Sequence, residues 1–189
     1  LIKAIPHAED LFLSAPHAGE IHVPLPNTAQ TLGPISIWKD KCNALYLGQE
    51  ADRWLSDFLA TPCHLVYMSD DIKRPVNKTD AREGDIVSFA DAYPLLLTSK
   101  ASLADLNKRL AKPIEIQRFR ANLVVDGSEA FAEDKWRRLR IGELEFDCAS
   151  SCTRCVLTTV DPQTGNKDPQ GEPLKTLRTY RQNDQGILF

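Results

Sequence analysis

Three cysteines, Cys148, Cys152 and Cys155, stand at C-x3-C-x2-C spacing immediately before the apolar run Val156 to Val160. Thiolates so spaced could ligate a cluster or a zinc ion. They could also form a redox pair, or supply one reactive thiolate beside two inert thiols. Zinc wants a fourth soft ligand, and none is close in sequence; Cys42, Cys63 or His64 could serve only if the fold brought them near. A redox C-x-x-C depends on a helix start to depress its thiol pKa, whereas Val-Leu-Thr-Thr-Val is strand-like. Cys148 and Cys152 read best as small buried hydrophobes.

The three-cysteine spacing is also that of radical S-adenosylmethionine enzymes. Their motif opens a long βα barrel, and the residues after Cys155 are too few to build one. Five cysteines, an odd number unevenly spaced, suit thiols or ligands of a cytoplasmic protein better than a disulfide framework.

The 189 residues, 42% of them hydrophobic, suffice for a sizeable core. Basic residues number 23 and acidic residues 26, interspersed to a net charge of −3. This gives no electrostatic footprint for nucleic acid or an anionic membrane, and no apolar run is long enough to span a bilayer. Three of the four histidines fall in the first 22 residues. They read as turn and surface residues. No His and carboxylate constellation points to hydrolytic chemistry.

The elements that must position the thiols alternate along the chain. Short strands are predicted over Leu1 to Ile5, Leu11 to Ser14 and Ile21 to Leu25, separated by Pro, His and Gly turns. "ISIWKDKCNALYLG" and "CHLVYM" add strands, and "QEADRWLSDFLATP" places Trp54, Leu55, Phe58 and Leu59 on one helical face before Pro62. The charged stretch from 69 to 85 reads as a loop. "YPLLLTS" is a buried strand, and "KASLADLNKRLAKP" a helix with Leu103, Leu106 and Leu110 inward. "IEIQRFRANLVVDG", "RRLRIGELEFDCA" and "CVLTTVDPQTG" read as strands and turns, and "EPLKTLRTYRQ" as a short helix with Leu174, Leu177 and Tyr180 on one side. The mixture, without regular βα alternation, is α+β around a curved, barrel-like sheet with flanking helices.

The stretches "SFADAYPLLLTSKASLADLN", "RFRANLVVDG", "FAEDKWRRLRIGE" and "CTRCVLTTVDPQTG" followed by "EPLKTLRTYR" resemble the MOSC family of molybdenum-cofactor proteins. Within it they are most similar to bacterial relatives of the mitochondrial amidoxime reducing component. The likeness runs from about Asp85 to Arg181 at near-uniform spacing and is looser from Leu1 to Met68. It implies a MOSC domain over 69–189, preceded over 1–68 by the end of the family's N-terminal β-barrel-like domain.

The resemblance implies a molybdenum-molybdopterin cofactor with Cys155 as both the catalytic and the metal-ligating thiolate. Asp91, Arg120, Asn122, Thr153 and Arg154 are implied to hold the pterin. The implied reaction reduces an N–OH group of a small N-hydroxylated substrate by oxygen-atom transfer to reduced molybdenum. The implied electron donor is a flavoprotein reductase or a ferredoxin-like domain. An alternative within the family is a non-catalytic carrier of the cofactor or of a persulfide. The family's opening Pro-x-Lys-Ser-type turn, its closing strands and a C-terminal ferredoxin-like domain lie outside this sequence, which lacks an initiator Met. The cofactor is therefore expected with the intact protein and not with this chain alone, and unpaired sheet edges are expected near Leu1 and Phe189.

Overall fold

The computed structural model describes residues 1–25, 31–76 and 81–189. The chain divides into two compact units, one of residues 1–77 and 83–94, the other of residues 78–82 and 95–189.

In the first unit, β1 (Lys3–Pro6), β2 (Asp10–Ala15) and β3 (Gly19–Pro24) form an antiparallel meander. A second sheet comprises β4 (Thr31–Ile37), β5 (Asp40–Tyr46) and β6 (Val66–Tyr67), with α1 (Gln49–Leu59) between β5 and β6. Strand alternation sends Ile21 and Val23 inward and His22 outward. Leu13, directly opposite Ile21, completes a buried layer on which Ala51 and Leu55 of α1 pack. Each buried leucine, isoleucine or valine side chain of this layer is worth about 1.5–3 kcal/mol. Trp54 anchors the helix by donating from Nε1 to the Ala18 carbonyl at 2.9 Å. Leu59, expected on the buried face, is 50% exposed, because the helix ends there and Ala60 turns into the left-handed conformation.

Asp52 on α1 closes this unit. It accepts from Tyr46 Oη at 2.6 Å, His64 Nδ1 at 2.5 Å and the Leu65 amide at 3.0 Å. Burial alone would raise its pKa, but those hydrogen bonds outweigh it and hold the carboxyl below the usual carboxylate range. A folded-state pKa below the unfolded one adds stability that is complete above the ordinary value of about 3.9 and vanishes as pH falls through the folded value. Asp52→Asn is accordingly expected to cost about 1–3 kcal/mol at neutral pH. In urea unfolding, the gap from wild type should narrow in acid.

The stretch read as a loop over 69–85 falls partly on residues 77–80, outside the described residues. Its described part is pinned: Pro75 bridges Ile86, and Val76 and Val87 bond Asp85 and Arg74. Arg74 is buried. Its Nη1 donates to the Ser88 and Ala90 carbonyls, both at 2.7 Å, and its Nη2 to Asp40 at 2.7 Å.

In the second unit, β7 (Leu97–Ser99) runs parallel to β8 (Leu123–Val125). The crossover that parallel strands require carries α2 (Lys100–Asn107) and a 3-10 turn over Ile116–Phe119. Ser99 caps α2, its hydroxyl accepting from the Ser102 amide at 3.0 Å. A hairpin of β9 (Arg138–Ile141) and β10 (Leu144–Asp147) turns at Gly142, whose φ of 59° glycine adopts without strain. Then come a 3-10 turn over Val156–Thr159, α3 (Leu174–Arg178), and the short pair β11 (Gln182–Asn183) and β12 (Gly186–Ile187). Leu106, Leu110, Phe119 and Leu177 form the core, joined by Leu103, Ile116 and Phe189.

The expected α+β mixture is present, but among the described residues the strands form small separate sheets, none closed into a barrel. Two segments read as strands, Ile116–Phe119 and Val156–Thr159, are 3-10 turns. Near Phe189, where an unpaired edge was expected, Leu188 bridges Thr153, and the Phe189 ring stacks on Phe119 at 3.7 Å between centroids.

Candidate functional site

Cys155 is an exposed free thiol at the N-cap of the Val156–Thr159 turn. Its carbonyl accepts from both the amide (3.2 Å) and the hydroxyl (3.0 Å) of Thr158. The Thr159 hydroxyl bonds the Val156 carbonyl at 2.7 Å. Both threonines are buried, so these side-chain bonds satisfy groups that burial would otherwise leave costly. They also favour a tight turn over the strand that β-branched residues suggest.

Preceding residues fix the other side. The Arg154 amide donates to the Ile187 carbonyl at 2.7 Å, and Thr153 bridges Leu188. Thr153 itself is exposed. The Arg154 side chain ties two elements together: Nη2 donates to the Phe119 carbonyl at 2.7 Å, Nη1 to Cys152 Sγ at 2.9 Å. Its guanidinium carbon lies 5.5 Å from the centre of the Phe119 ring, and its buried Nε has no partner among the described residues. A second brace runs the opposite way, from Arg118 Nη1 to the Thr159 carbonyl at 2.9 Å and Nη2 to Asp161 at 3.2 Å.

The two braces set Cys155 and Arg120 each one residue from the bonded pair Arg154 and Phe119. Arg120 lies not in a strand but at the end of the Ile116–Phe119 turn, with φ 55° and ψ 37°. A left-handed conformation costs a non-glycine residue roughly 1–2 kcal/mol. Its guanidinium is exposed, and among the described residues it pairs with nothing. Glu115 and Asp126, which could have neutralised it, engage Gln163 and Lys100 instead. His17, Trp38, Ala60 and Phe131 share this backbone conformation, so it is the exposed cation together with the strain that makes Arg120 a candidate.

Asn122 is committed in part: its Oδ1 accepts from the Leu96 amide at 2.9 Å and its own amide donates to the Leu96 carbonyl at 2.9 Å. Among the described residues its side-chain NH2 has no partner. Asp91 belongs to the first unit, where it accepts from Trp38 Nε1 at 2.9 Å, next to the Ala90 carbonyl that Arg74 holds.

All five cysteines are free thiols, and among the described residues Cys148, Cys152 and Cys155 do not converge as metal ligands. Burial, and secondarily the Asp147 charge, push the Cys148 thiol pKa up, as for an inert thiol. Cys152 is not a plain hydrophobe, because Arg154 donates to its sulfur. Sequence reasoning missed Arg118, Phe119 and the two buried threonines. The available signal was the R-F-R spacing, which puts Arg118 and Arg120 two apart around an inward Phe.

The sequence profile of the MOSC domain matches residues 84–189. The chain is similar to mitochondrial amidoxime-reducing component 1 of Danio rerio, 38% identical over 177 residues, covering 91% of this chain and 54% of that protein. It is likewise similar to component 1 of Homo sapiens, 36% identical over 193 residues, covering 97% of this chain and 56% of that protein. Component 2 of Rattus norvegicus is 44% identical over 146 residues, covering 74% and 43%. The chain thus spans about half the length of the curated relatives it matches.

Proposed function

The chain belongs to the MOSC domain family, and from that premise we propose that it is the cofactor-holding part of a molybdenum-dependent reductase of N-hydroxylated compounds. One observation carries the reading: an exposed Cys155 thiol and a left-handed Arg120, unpaired among the described residues, each adjoin in sequence one end of the hydrogen bond from Arg154 Nη2 to the Phe119 carbonyl.

The residues fit the group. A soft thiolate suits molybdenum, and a guanidinium fork suits a phosphate or a pterin edge. The Thr153 hydroxyl, the Asn122 NH2 and the unsatisfied Nε of Arg154 are further hydrogen-bonding groups in the same unit. Asp91 is retained as a further pterin contact on the strength of its "FADAYP" motif. When bound, the cofactor supplies two-electron oxygen-atom chemistry. The chain's own part is to anchor, orient and shield. Val156 and Leu157, 56% and 49% exposed directly after Cys155, offer an apolar surface for the non-polar part of a substrate. Electrons come from a partner flavoprotein or ferredoxin-like protein.

The test is metal, pterin and sulfane-sulfur analysis of the full-length protein, with assay of amidoxime reduction. Near-stoichiometric molybdenum and pterin with turnover are expected. Sulfane sulfur on Cys155 with little metal would overturn the reductase in favour of a carrier. Arg120→Gly is expected to hold or raise stability by up to about 1 kcal/mol, since glycine removes the left-handed strain at some entropic cost. The same variant should lose cofactor on dialysis; full retention would remove Arg120 from the site.

A further inference from the structure

We propose that His7, Asp10 and His22 on the β1–β3 meander form a binding site for a divalent transition-metal cation of the zinc class, built from residues of the first unit alone. His7 lies in the turn between β1 and β2, Asp10 begins β2, and His22 is the outward residue between Ile21 and Val23 of β3. Register makes the convergence. His22 pairs with Phe12 and Pro24 with Asp10, so Asp10 and His22 are diagonal neighbours on one sheet face. Asp10 Oδ1 meets His7 Nδ1 at 2.7 Å, and Oδ2 meets His22 Nδ1 at 2.9 Å.

One donor atom from each residue lies within 4.8 Å of those of the other two. Ligand atoms about 2.0–2.2 Å from a tetrahedral zinc are roughly 3.3 Å apart. Closure therefore asks at most about 1.5 Å of movement, within reach of exposed imidazoles. The scaffold limits wandering: the His7 amide donates to the Asp10 carbonyl at 2.8 Å, and the Phe12 ring lies 5.0 Å from that of His22. Two imidazoles and one carboxylate with further positions open to water are a ligand set for zinc or its neighbours, not for calcium or magnesium.

The protonation balance is simple. A neutral imidazole that donates from Nδ1 to Asp10 moves its proton to Nε2, which frees the Nδ1 lone pair for the cation.

The experiment is equilibrium dialysis of chelator-treated full-length protein against Zn2+ alone, comparing wild type with Asp10→Asn and His22→Gln. Circular dichroism would check that each variant is folded. Loss of one zinc per chain, or at least about 10-fold weaker binding of that zinc, is expected in each variant. Shifts of the His7 and His22 imidazole nitrogen resonances should accompany binding in wild type. Zinc bound at thiols would be insensitive to both substitutions. Identical stoichiometry and affinity in all three proteins, or unmoved His7 and His22 resonances, would overturn the site.

Discussion

Cys155→Ser in the full-length protein is expected to lower amidoxime turnover more than about 100-fold, beyond the 10- to 100-fold typical of losing a residue that merely supports a metal ligand. Serine keeps the size of the side chain but replaces a soft, acidic sulfur by a hard and far less acidic hydroxyl. Stability should change by no more than about 0.5 kcal/mol, because the thiol is exposed and its residue is held by backbone bonds from Thr158. Cys152→Ser is the control. Its hydroxyl can still accept from Arg154 Nη1, so the brace to the Phe119 carbonyl survives and turnover should fall less than about 10-fold. Molybdenum content measured beside activity separates the cases. Equal losses in the two variants, or loss confined to Cys152→Ser, would move the ligand to Cys152.

Helices and hairpins were legible because their signals are periodic. Leu103, Leu106 and Leu110 do lie on the core side, although α2 ends at Asn107, short of Leu110, and Gly142 does turn a hairpin. The two 3-10 turns were not. Four residues carry no period, and Ile116 and Val156 bring strand propensity to positions where side-chain and long-range hydrogen bonds decide. In one turn, the threonine hydroxyls capture carbonyls three residues back; in the other, Arg154 reaches across 35 residues to the Phe119 carbonyl. The left-handed Arg120 follows from that second turn, and nothing in an arginine announces it. The candidate thiol was legible through family resemblance, whereas the scaffold that presents it lay in contacts distant in sequence. His7, Asp10 and His22 illustrate the same limit. Each reads alone as a turn or surface residue, and only strand register brings them together.

Phe119→Ala should be the most destabilising single change in the second unit, at about 3–5 kcal/mol. The ring is fully buried, belongs to the cluster of Leu106, Leu110 and Leu177, and stacks on Phe189 with planes 13° apart. Truncation removes its burial, leaves a cavity and forfeits a ring pair worth about 0.5–1.5 kcal/mol beyond area. It also loosens the backbone whose carbonyl receives Arg154, so cofactor retention should fall with stability. Phe119→Leu separates the two effects. Leucine keeps most of the apolar volume and leaves the carbonyl in place, so it should cost less than Phe119→Ala while holding molybdenum nearly as well as wild type. Urea unfolding together with metal content after dialysis reads both quantities. A cost below about 1 kcal/mol for Phe119→Ala would mean that this residue does not organise the core. Loss of molybdenum in Phe119→Leu at near-native stability would mean that the aromatic ring itself, through its contact with the Arg154 guanidinium, positions the thiol-bearing segment.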